Sequence, residues 1–370
     1  MKFTTERVAF SHAFQLVMTV AATRDVKPVM QNVKVKTESS GDGTHLILMA
    51  TDGELGIRRI VTQCDVAKPG EAILPAKRVR QILQEVTSEN IDFSGDSQKL
   101  TIECGSSRFQ LATQPTDEFP DVYPFEETAY HEVTAATFRE LIKRTVFAIE
   151  PDSARYALGG VLLEVFEDKI VGCATDGRRL ATQDISAESV GDHLAENGAI
   201  VPPRALTLLE RAMSDESEAI KINMGPNRML ACSQDTTIFS RLIEGRFPKW
   251  RNIVPETKGR VSVPLPVGGF YSAIRQAAIV TSDKQPGVVF RFTDEKLVLE
   301  GQGAEIGESV IEMPISWQGQ EHRVKLDPAF LIDYLRVLPS EKVIDMYVDD
   351  DGPVVFKTDD EYMYIVMPLT

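Results

Sequence analysis

The chain has 370 residues, 43% hydrophobic and 26% charged, with a formal net charge of −15. This length is enough for two or three domains, each with its own core. No apolar run approaches the roughly 20 residues of a membrane span, and the N-terminus lacks an apolar signal core, so we expect a cytoplasmic protein without a membrane partner. The strong negative charge, taken over the whole chain, argues against a nucleic-acid partner.

The cysteines and histidines indicate neither a metal site nor a redox motif. The four cysteines, at positions 64, 104, 173 and 232, are far apart, and the five histidines are equally scattered. Metal clusters and redox motifs usually need close spacing. We therefore expect buried thiols in a reducing compartment, with no metal and no cofactor.

The first segment is predicted to enter a helix at once, over residues 5–20, because its apolar residues keep helical spacing. Strands are expected at 32–37, 45–50 and 56–64, with an Asp-Gly turn between the last two. A proline-started amphipathic helix follows from Pro75. Alternating strands then run to a boundary near Phe119-Pro120.

The second and third segments repeat this order. Thr134 is a candidate N-cap for a helix reaching Ile149, a second Asp-Gly turn follows, and another proline-started helix begins after Val201. In the third segment a helix is expected over 268–280, and Asp327 and Pro328 predict the N-cap and first residue of the last helix.

The repeat is marked by the hairpin sequence ATDGRRLA at residues 174–181. A similar sequence, ATDGEL, begins at Ala50, 124 positions before Ala174. A weaker copy, LEGQG, spans 299–303. Glycine accepts the positive φ that tight hairpins need. The period is too long for a solenoid and suits whole domains, so we predict an α+β fold of three similar domains, each with two helices on antiparallel strands, over 1–124, 125–255 and 256–370. Three unrelated α+β domains remain the alternative.

The predicted helices are less acidic than the rest of the chain. Over the six helical windows Lys and Arg exceed Asp and Glu by five, which leaves −20 elsewhere. Helices grouped on one side would give a weakly basic face that attracts phosphates without reading bases. Ordinary solvated helix faces with an accidental excess of Lys and Arg explain the count equally well.

Five motifs make a family resemblance specific: MKFT at 1–4, RYALGG at 155–160, ATDGRRLA at 174–181, EGRFP at 244–248 and VMPL at 366–369. In order and spacing the chain resembles the bacterial DNA sliding clamps, the beta subunits of DNA polymerase III. The resemblance implies a head-to-tail homodimer of three-domain subunits that closes a ring around double-stranded DNA. Such a clamp is a non-catalytic processivity subunit. It tethers the polymerase alpha subunit, and it also binds the clamp loader and the repair and translesion polymerases.

The resemblance also implies three sets of site residues. An apolar cleft for short linear motifs would comprise Leu158, Thr175, Gly177, Arg178, Arg179, Leu180, Pro248, Ile253, Met367, Pro368 and Leu369. DNA would be contacted by Arg24, Lys77, Arg80, Lys143, Arg144, Arg155, Tyr156, Arg204 and Arg275. The dimer interface would pair Arg78, Ile82, Phe109 and Leu111 with Ile279, Val280, Glu305 and Glu308.

The chain departs from the family pattern near the cleft. Arg178 stands where the family often has histidine, Asn252 replaces a common arginine, and the tail reads Met-Pro-Leu-Thr rather than a longer Met-Pro-x-Arg-Leu. These differences concern peptide affinity and preference, and the cleft itself is expected to remain.

Two other functions can be tested against the clamp. A hydrolase would use Asp52 and Asp176 as paired carboxylates, but turns of different domains would hold them too far apart to share one substrate. A protein-binding scaffold without nucleic acid is the other alternative. Retention on circular DNA that is lost on linearisation separates it from a clamp.

Overall fold

One order of elements recurs along the chain, and it explains how the sheets are assembled. The computed structural model describes residues 1–23, 27–40, 43–96, 98–150, 156–213, 215–257, 262–282, 286–303, 306–317, 319–349 and 352–369. Arg24, Arg155 and Glu305 lie outside these described residues, as does the side chain of Tyr156.

Among its described residues, the first repeat contains nine strands and two α-helices. In chain order they are β1 (Lys2–Glu6), α1 (Arg7–Met18), β2 (Val33–Ser40), β3 (Gly43–Thr51), β4 (Leu55–Val61), β5 (Cys64–Lys68), β6 (Glu71–Leu74), α2 (Ala76–Glu85), β7 (Asn90–Gly95), β8 (Lys99–Cys104) and β9 (Ser107–Ala112).

The second repeat has the same order. It comprises β10 (Tyr130–Thr134), α3 (Ala135–Thr145), β11 (Val161–Val165), β12 (Lys169–Thr175), β13 (Arg179–Ser186), β14 (Glu188–Val190), β15 (Ala195–Val201), α4 (Pro203–Ala212), β16 (Ala219–Met224), β17 (Arg228–Cys232) and β18 (Thr236–Arg241).

The third repeat has one strand fewer. It comprises β19 (Ser262–Pro266), α5 (Val267–Ala277), β20 (Val288–Thr293), β21 (Lys296–Gly303), β22 (Gly307–Pro314), β23 (His322–Leu326), α6 (Pro328–Arg336), β24 (Val343–Tyr347), β25 (Val354–Lys357) and β26 (Met363–Val366).

The strands of the described residues form four antiparallel sheets, which lie in two compact units. The first unit (Met1–Ala136, Ala187–Ala195, Arg204–Leu242) holds a five-stranded sheet, β5-β1-β7-β8-β9, and a nine-stranded sheet, β14-β10-β16-β17-β18-β4-β3-β2-β6. The second unit (Thr137–Ser186, Glu196–Pro203, Ile243–Thr370) holds an eight-stranded sheet, β15-β11-β12-β13-β26-β25-β24-β19, and a four-stranded sheet, β22-β21-β20-β23. The middle repeat is divided between the two units, because two sheets continue from one repeat into the next. The domain boundaries predicted from the sequence remain a prediction.

The helices bury apolar stripes, as their spacing predicts. Phe10, Phe14 and Val17 of α1 are fully buried, and the Phe10 ring lies 4.9 Å from that of Phe93. In the second unit, Tyr334 of α6 stacks on Tyr364 at 4.6 Å with nearly parallel rings. Burial of such side chains at roughly 25 cal/mol per Å² is the main source of stability for each core.

Two features differ from the sequence expectations. The helix predicted from residue 5 begins at Arg7, because residues 2–6 pair with β5 and β7 and alternate exposed and buried side chains. The same short strand precedes the first helix of each repeat. The weak third hairpin copy is also misplaced, since residues 299–303 belong to β21 and the next strand, β22, begins at Gly307.

Other local predictions are confirmed in part. The Asp327 carboxylate accepts a hydrogen bond from the Ala329 N–H at 2.9 Å, and Pro328 occupies the first turn of α6. Of the four free thiols, Cys104 and Cys173 are buried as expected, whereas Cys64 and Cys232 are only partly buried. No helix in the described ranges is long and apolar enough to span a membrane.

The fold brings together two histidines that the sequence separates by 62 residues. His131 and His193 are both buried in the first unit, with their Nδ1 atoms 2.9 Å apart. The Met224 N–H donates to Nε2 of His193 at 3.0 Å, closer than the Met224 carbonyl at 3.3 Å. We therefore assign the His193 proton to Nδ1, from which it is donated to Nδ1 of a neutral His131.

This pair predicts a loss of stability in mild acid. Burial lowers the pKa of His193 below its ordinary 6.5, and the Met224 carbonyl and the nearby Glu127 carboxylate offset only part of the effect. The unfolded chain then binds more protons than the folded one, so stability is present above about pH 6.5 and declines as the pH falls. We expect the urea midpoint to be lower at pH 5.5 than at pH 7.5.

The measurement is an NMR titration of the imidazole nitrogens together with urea unfolding. A His12→Gln variant, altered at an exposed histidine, serves as the control and should keep the same pH slope. The double variant His131→Gln/His193→Gln should lose this part of the slope. Titration of His193 in the folded protein at or above 6.5 would contradict the prediction.

Candidate functional site

The hairpin between β12 and β13 is built by turn chemistry that its sequence specifies. The Asp176 carboxylate accepts hydrogen bonds from the N–H groups of Arg178 and Arg179 at 2.8 and 2.9 Å. The Thr175 hydroxyl donates to the Arg179 carbonyl at 2.6 Å and accepts from the Gly177 N–H at 3.0 Å. Gly177 has φ +89°, which only glycine adopts without strain. Asp176 is thus occupied as a turn residue.

The first hairpin has the same bonds, which confirms the repeat at the level of single atoms. Asp52 accepts from the N–H groups of Glu54 and Leu55 at 3.0 and 2.8 Å, and Gly53 has φ +90°. Asp52 also pairs with Arg204 at 2.9 Å. Each aspartate therefore shapes its own turn, and neither is left as a free carboxylate for hydrolysis.

Arg179 is the most heavily bonded side chain of the second hairpin. Its guanidinium donates to Asp176 at 3.0 Å, to Asp333 at 2.8 Å and to the Phe147 carbonyl at 2.8 Å. It also lies 4.6 Å from the centre of the Phe330 ring. The side chain is only 10% exposed, so most of its hydrogen-bonding capacity is used inside the protein.

The chain's last residues lie beside this hairpin. The pairing of β13 with β26, which sets Arg179 opposite Val366, continues as a hydrogen bond from the Met367 N–H to the Arg178 carbonyl at 2.8 Å. The Leu369 N–H then donates to the Lys325 carbonyl at 2.8 Å. Main-chain bonds at both ends fix the tail, and the Met367 side chain remains 49% exposed.

The predicted cleft residues divide into a buried and an exposed group. Leu158, Thr175 and Leu180 are only 2–3% exposed and belong to the core behind the surface. The exposed members are Gly177, Arg178, Pro248, Ile253 and Met367, with Pro368 and Leu369 partly buried. Ile253 is 57% exposed and presents apolar surface to solvent.

The core beneath this surface includes residues that the sequence analysis did not single out. Leu180 clusters with Trp250 and Ile365, and the partly buried Phe247 and Val254 pack against the same cluster. Trp250 begins a 3₁₀ turn, Trp250–Ile253, that carries Ile253 to the surface. The apolar spacing at 247, 250, 253 and 254 around Pro248 was the signal that could have identified them.

The prediction that Arg144 contacts DNA is wrong. Its side chain is 2% exposed and donates to Gln183 at 2.6 Å, while forming ion pairs with Glu140 at 2.6 Å and Asp360 at 2.9 Å. Burial alone would raise the pKa of Asp360, but hydrogen bonds from Arg144, Lys342 and Thr358 hold that pKa well below its usual range. Arg144 is a structural tie inside the second unit.

The other basic residues among the predicted DNA contacts that lie in the described ranges are exposed. They are Lys77, Arg80, Lys143, Arg204 and Arg275. Arg204 is 65% exposed even though it pairs with Asp52, so it still presents charge to solvent.

The predicted interface residues lie on two edge strands and two helical segments. Phe109 and Leu111 lie on β9 and Glu308 on β22, whereas Arg78 and Ile82 lie on α2, and Ile279 and Val280 on a 3₁₀ turn. Phe109 and Leu111 are partly buried on β9, Glu308 is exposed on β22, and Ile279 is 74% exposed next to the partly buried Val280. Arg78 is exposed on α2. Ile82 is only 8% exposed and faces the core of its own chain, so an interface would meet its edge at most.

Comparisons with known proteins match the whole chain to one family. Its N-terminal, central and C-terminal domain models, each described as a domain of the DNA polymerase III beta subunit, match residues 1–124, 132–249 and 251–370. The beta sliding clamps of Pseudomonas putida and Escherichia coli K12 are 29% and 26% identical, and the alignments cover 100% of each chain.

Solved structures match equally completely. The DNA polymerase III subunit beta of Pseudomonas aeruginosa is 28% identical with a TM-score of 0.90, and all of both chains is covered. A sliding clamp of the same organism, bound to griselimycin, is 28% identical with a TM-score of 0.92, and 100% of this chain and 99% of that one are covered.

Neighbouring residues on α3 provide a matched test of the corrected charge assignment. Arg144→Met should lower the free energy of unfolding by about 2–4 kcal/mol, because it breaks a buried ion-pair network. Lys143→Gln, at an exposed position, should leave stability within about 0.5 kcal/mol. Lys143→Gln should instead weaken non-specific DNA binding and reduce its dependence on salt, while folded Arg144→Met binds DNA as the wild type does.

Urea unfolding and DNA binding at several salt concentrations are the two measurements. A folded Arg144→Met protein with weakened DNA binding and unchanged stability would restore Arg144 as a phosphate contact.

Proposed function

Because the chain belongs to the DNA polymerase III beta-subunit family, we propose that it encircles duplex DNA as a head-to-tail homodimer and tethers the replicative polymerase. It is a sliding clamp, a non-catalytic processivity subunit. One observation supports ring closure above all others. At two internal joints, a strand of one repeat pairs with a strand of the next and so extends a sheet. Among the described residues, the corresponding strand of the third repeat is free to form a third joint of the same kind.

The two internal joints follow one rule. The outgoing strand of the hairpin in one repeat pairs with the last strand of the next repeat, as β4 does with β18 and β13 does with β26. In the nine-stranded sheet, five strands of the second repeat join four strands of the first. In the eight-stranded sheet, four strands of the second repeat join four strands of the third. By the same rule β22 should pair with the last strand of a first repeat, β9. Within the described ranges β22 and β9 are edge strands of separate sheets, so the joint is supplied by a second copy.

The internal joints also predict the register of the joint between copies. In both cases the first residue of the outgoing strand lies opposite a residue near the end of the last strand. Leu55 lies opposite Ser240, and Arg179 lies opposite Val366. Each outgoing strand begins four positions after the last residue of the strand before it, so Gly307 of β22 corresponds to Leu55 and Arg179.

The preceding strand identifies the matching residue of β9. Ser240 pairs with Met229 and Val366 pairs with Val354, each the first buried residue of its strand. In β8 the first buried residue is Leu100, and its partner is Leu111. Gly307 of one copy should therefore lie opposite Leu111 of the other.

The resulting pairing is chemically consistent. It sets Phe109 opposite Ser309 on the partly buried face and Gln110 opposite Glu308 on the exposed face, so the two faces of the sheet match across the joint. The exposed Ile279, next to β22, provides apolar surface, and Arg78 on α2 provides a cation for the acidic residues of β22.

DNA passage requires charge but not specific contacts. A closed ring keeps its hold on the duplex topologically, so the channel needs only enough positive charge to keep phosphates from being repelled. The exposed Lys77, Arg80, Lys143 and Arg275 are the side chains proposed for this role, and Arg204 adds a charge that is already partly neutralised by Asp52. The acidic remainder of the chain would disfavour DNA on other surfaces.

The surface beside the second hairpin is proposed as the partner cleft. Arg178, Pro248, Ile253 and Met367 expose apolar and cationic groups above a packed aromatic and aliphatic core. An extended peptide with two or three apolar anchors suits such a surface. We propose that the polymerase alpha subunit, the clamp loader, and the repair and translesion polymerases bind here, as would griselimycin, the ligand of the related Pseudomonas aeruginosa clamp.

The ring predicts a purely topological retention on DNA. Protein loaded by a clamp loader onto a nicked circular plasmid should stay bound through gel filtration at a salt concentration that abolishes ordinary electrostatic binding. Cutting the plasmid once should release it, because only a topological link depends on free ends. Equal retention on circular and linear DNA would contradict the ring, and binding to neither would favour a scaffold without nucleic acid.

The proposed register predicts which cysteine pair closes the ring covalently. Opposite residues of paired strands have Cβ atoms about 4.5–5.5 Å apart, close to disulfide geometry. Gln110→Cys combined with Glu308→Cys should therefore give an oxidised dimer on non-reducing gels. The matched control, Gln110→Cys with Ser309→Cys, places the thiols on opposite faces and should crosslink poorly. A preference for the control pair would refute the register.

A further inference from the structure

We propose that Asp333, on α6, is a positioning residue for the partner cleft: through Arg179 it fixes the hairpin that forms one side of the cleft. This inference rests on the proposed function of that surface. Asp333 is not one of the predicted cleft residues, and it acts through Arg179.

The geometry makes Arg179 a three-way tie. One edge of its guanidinium binds Asp176 within the turn, and the other atoms bind Asp333 of α6 at 2.8 Å and the Phe147 carbonyl at 2.8 Å. Planar guanidinium groups hold such partners in a fixed direction, unlike the flexible ammonium of lysine. The hairpin is therefore oriented by α6 and by the segment after α3 at once.

Aromatic packing supports the same orientation. The guanidinium carbon lies 4.6 Å from the Phe330 ring centre and 5.5 Å from that of Phe147. Tyr364 of β26 donates its hydroxyl hydrogen to the Phe330 carbonyl at 2.8 Å, so the strand beneath the hairpin is bonded to the same turn of α6. Cations over aromatic faces gain most when they are desolvated, as Arg179 is at 10% exposure.

The first hairpin shows that this tie is not required for the turn itself. Leu55 occupies the position of Arg179, yet the Asp52 turn keeps the same hydrogen bonds and the same positive φ at its glycine. The arginine and its link to α6 therefore add something beyond turn formation. In the second hairpin the link also sets the position of Arg178, whose carbonyl receives the Met367 N–H at 2.8 Å.

The consequence is that Asp333 controls two exposed parts of the cleft without touching a ligand. Releasing Arg179 from Asp333 would let the hairpin tip move, and with it Arg178 and the tail at Met367. Part of the binding free energy of a peptide would then be used to order these elements, which weakens its affinity.

The test is ligand affinity in the full-length protein. The probes are griselimycin and a fluorescein-labelled peptide that carries a short linear motif of a polymerase alpha subunit. Asp333→Asn keeps the shape of the side chain and removes its charge, and it should raise the Kd of both probes by roughly three- to thirtyfold. Arg179→Lys should have a similar effect, and the double variant should add little, because the two residues act as one unit.

Two controls separate positioning from general stability. Arg336→Gln alters an exposed residue of the same helix that lies 3.9 Å from Asp333, and it should leave both Kd values unchanged. Asp333→Glu keeps the carboxylate and should restore part of the affinity. Thermal unfolding of every variant confirms that binding is measured on folded protein.

The outcomes are distinct. Wild-type affinity in Asp333→Asn, with or without a lower melting temperature, would show a merely structural residue and overturn the proposal. A wild-type protein that binds neither probe would refute the cleft itself, and the proposal with it. Weakened binding in Asp333→Asn, unchanged binding in Arg336→Gln and partial recovery in Asp333→Glu would support it.

Discussion

The main-chain pairing of each hairpin's outgoing strand with the last strand of the next repeat is the constraint from which the rest of the structure follows. An unpaired strand edge carries hydrogen-bonding groups that a protein must cover or use. The pairs β4–β18 and β13–β26 meet that need twice within one chain. In the third hairpin, β22 is an edge strand within the described ranges, and a second copy would complete it. The proposed dimerisation would in this sense continue the internal fold, with the same strand geometry in both.

The two Asp-Gly hairpins show how a repeated element acquires a separate function. Their turns are bonded alike through Asp52 and Asp176, so the repeated residues serve folding. The differences lie at the next position, where Leu55 in one copy and Arg179 in the other decide what the hairpin is attached to. Arg179 links the second hairpin to α6, whose Phe330 carbonyl accepts a hydrogen bond from Tyr364 of β26, the strand that leads into the tail. Turn chemistry is thus a poor guide to the site, whereas its neighbours are a good one.

The sequence revealed the repeat and the position of most helices because spacing and turn residues are local. It missed the short strand Lys2–Glu6, since five residues with two buried side chains cannot be distinguished from the start of a helix. It also misassigned Arg144: a basic residue in the last turn of an amphipathic helix is usually exposed, and only tertiary contacts with Asp360 and Gln183 reveal its burial. The approach of His131 to His193 depended on pairing between distant segments, which no spacing rule could predict. The cleft was predicted through family resemblance, while its supporting residues Trp250 and Asp333 required the structure.

The corrected charge distribution bears on how a clamp can move along DNA. With Arg144 buried and Arg204 partly neutralised by Asp52, the helices present fewer free cations than their composition suggests. Each phosphate neutralised by a cation releases condensed counterions, so many such contacts would make DNA binding tight and strongly salt-dependent. A ring that holds the duplex by topology gains nothing from such affinity, because strong contacts would have to be broken at every step of sliding. A weakly basic inner surface within an acidic protein is therefore what this mode of binding requires: enough charge to admit the duplex, and too little to hold it in place.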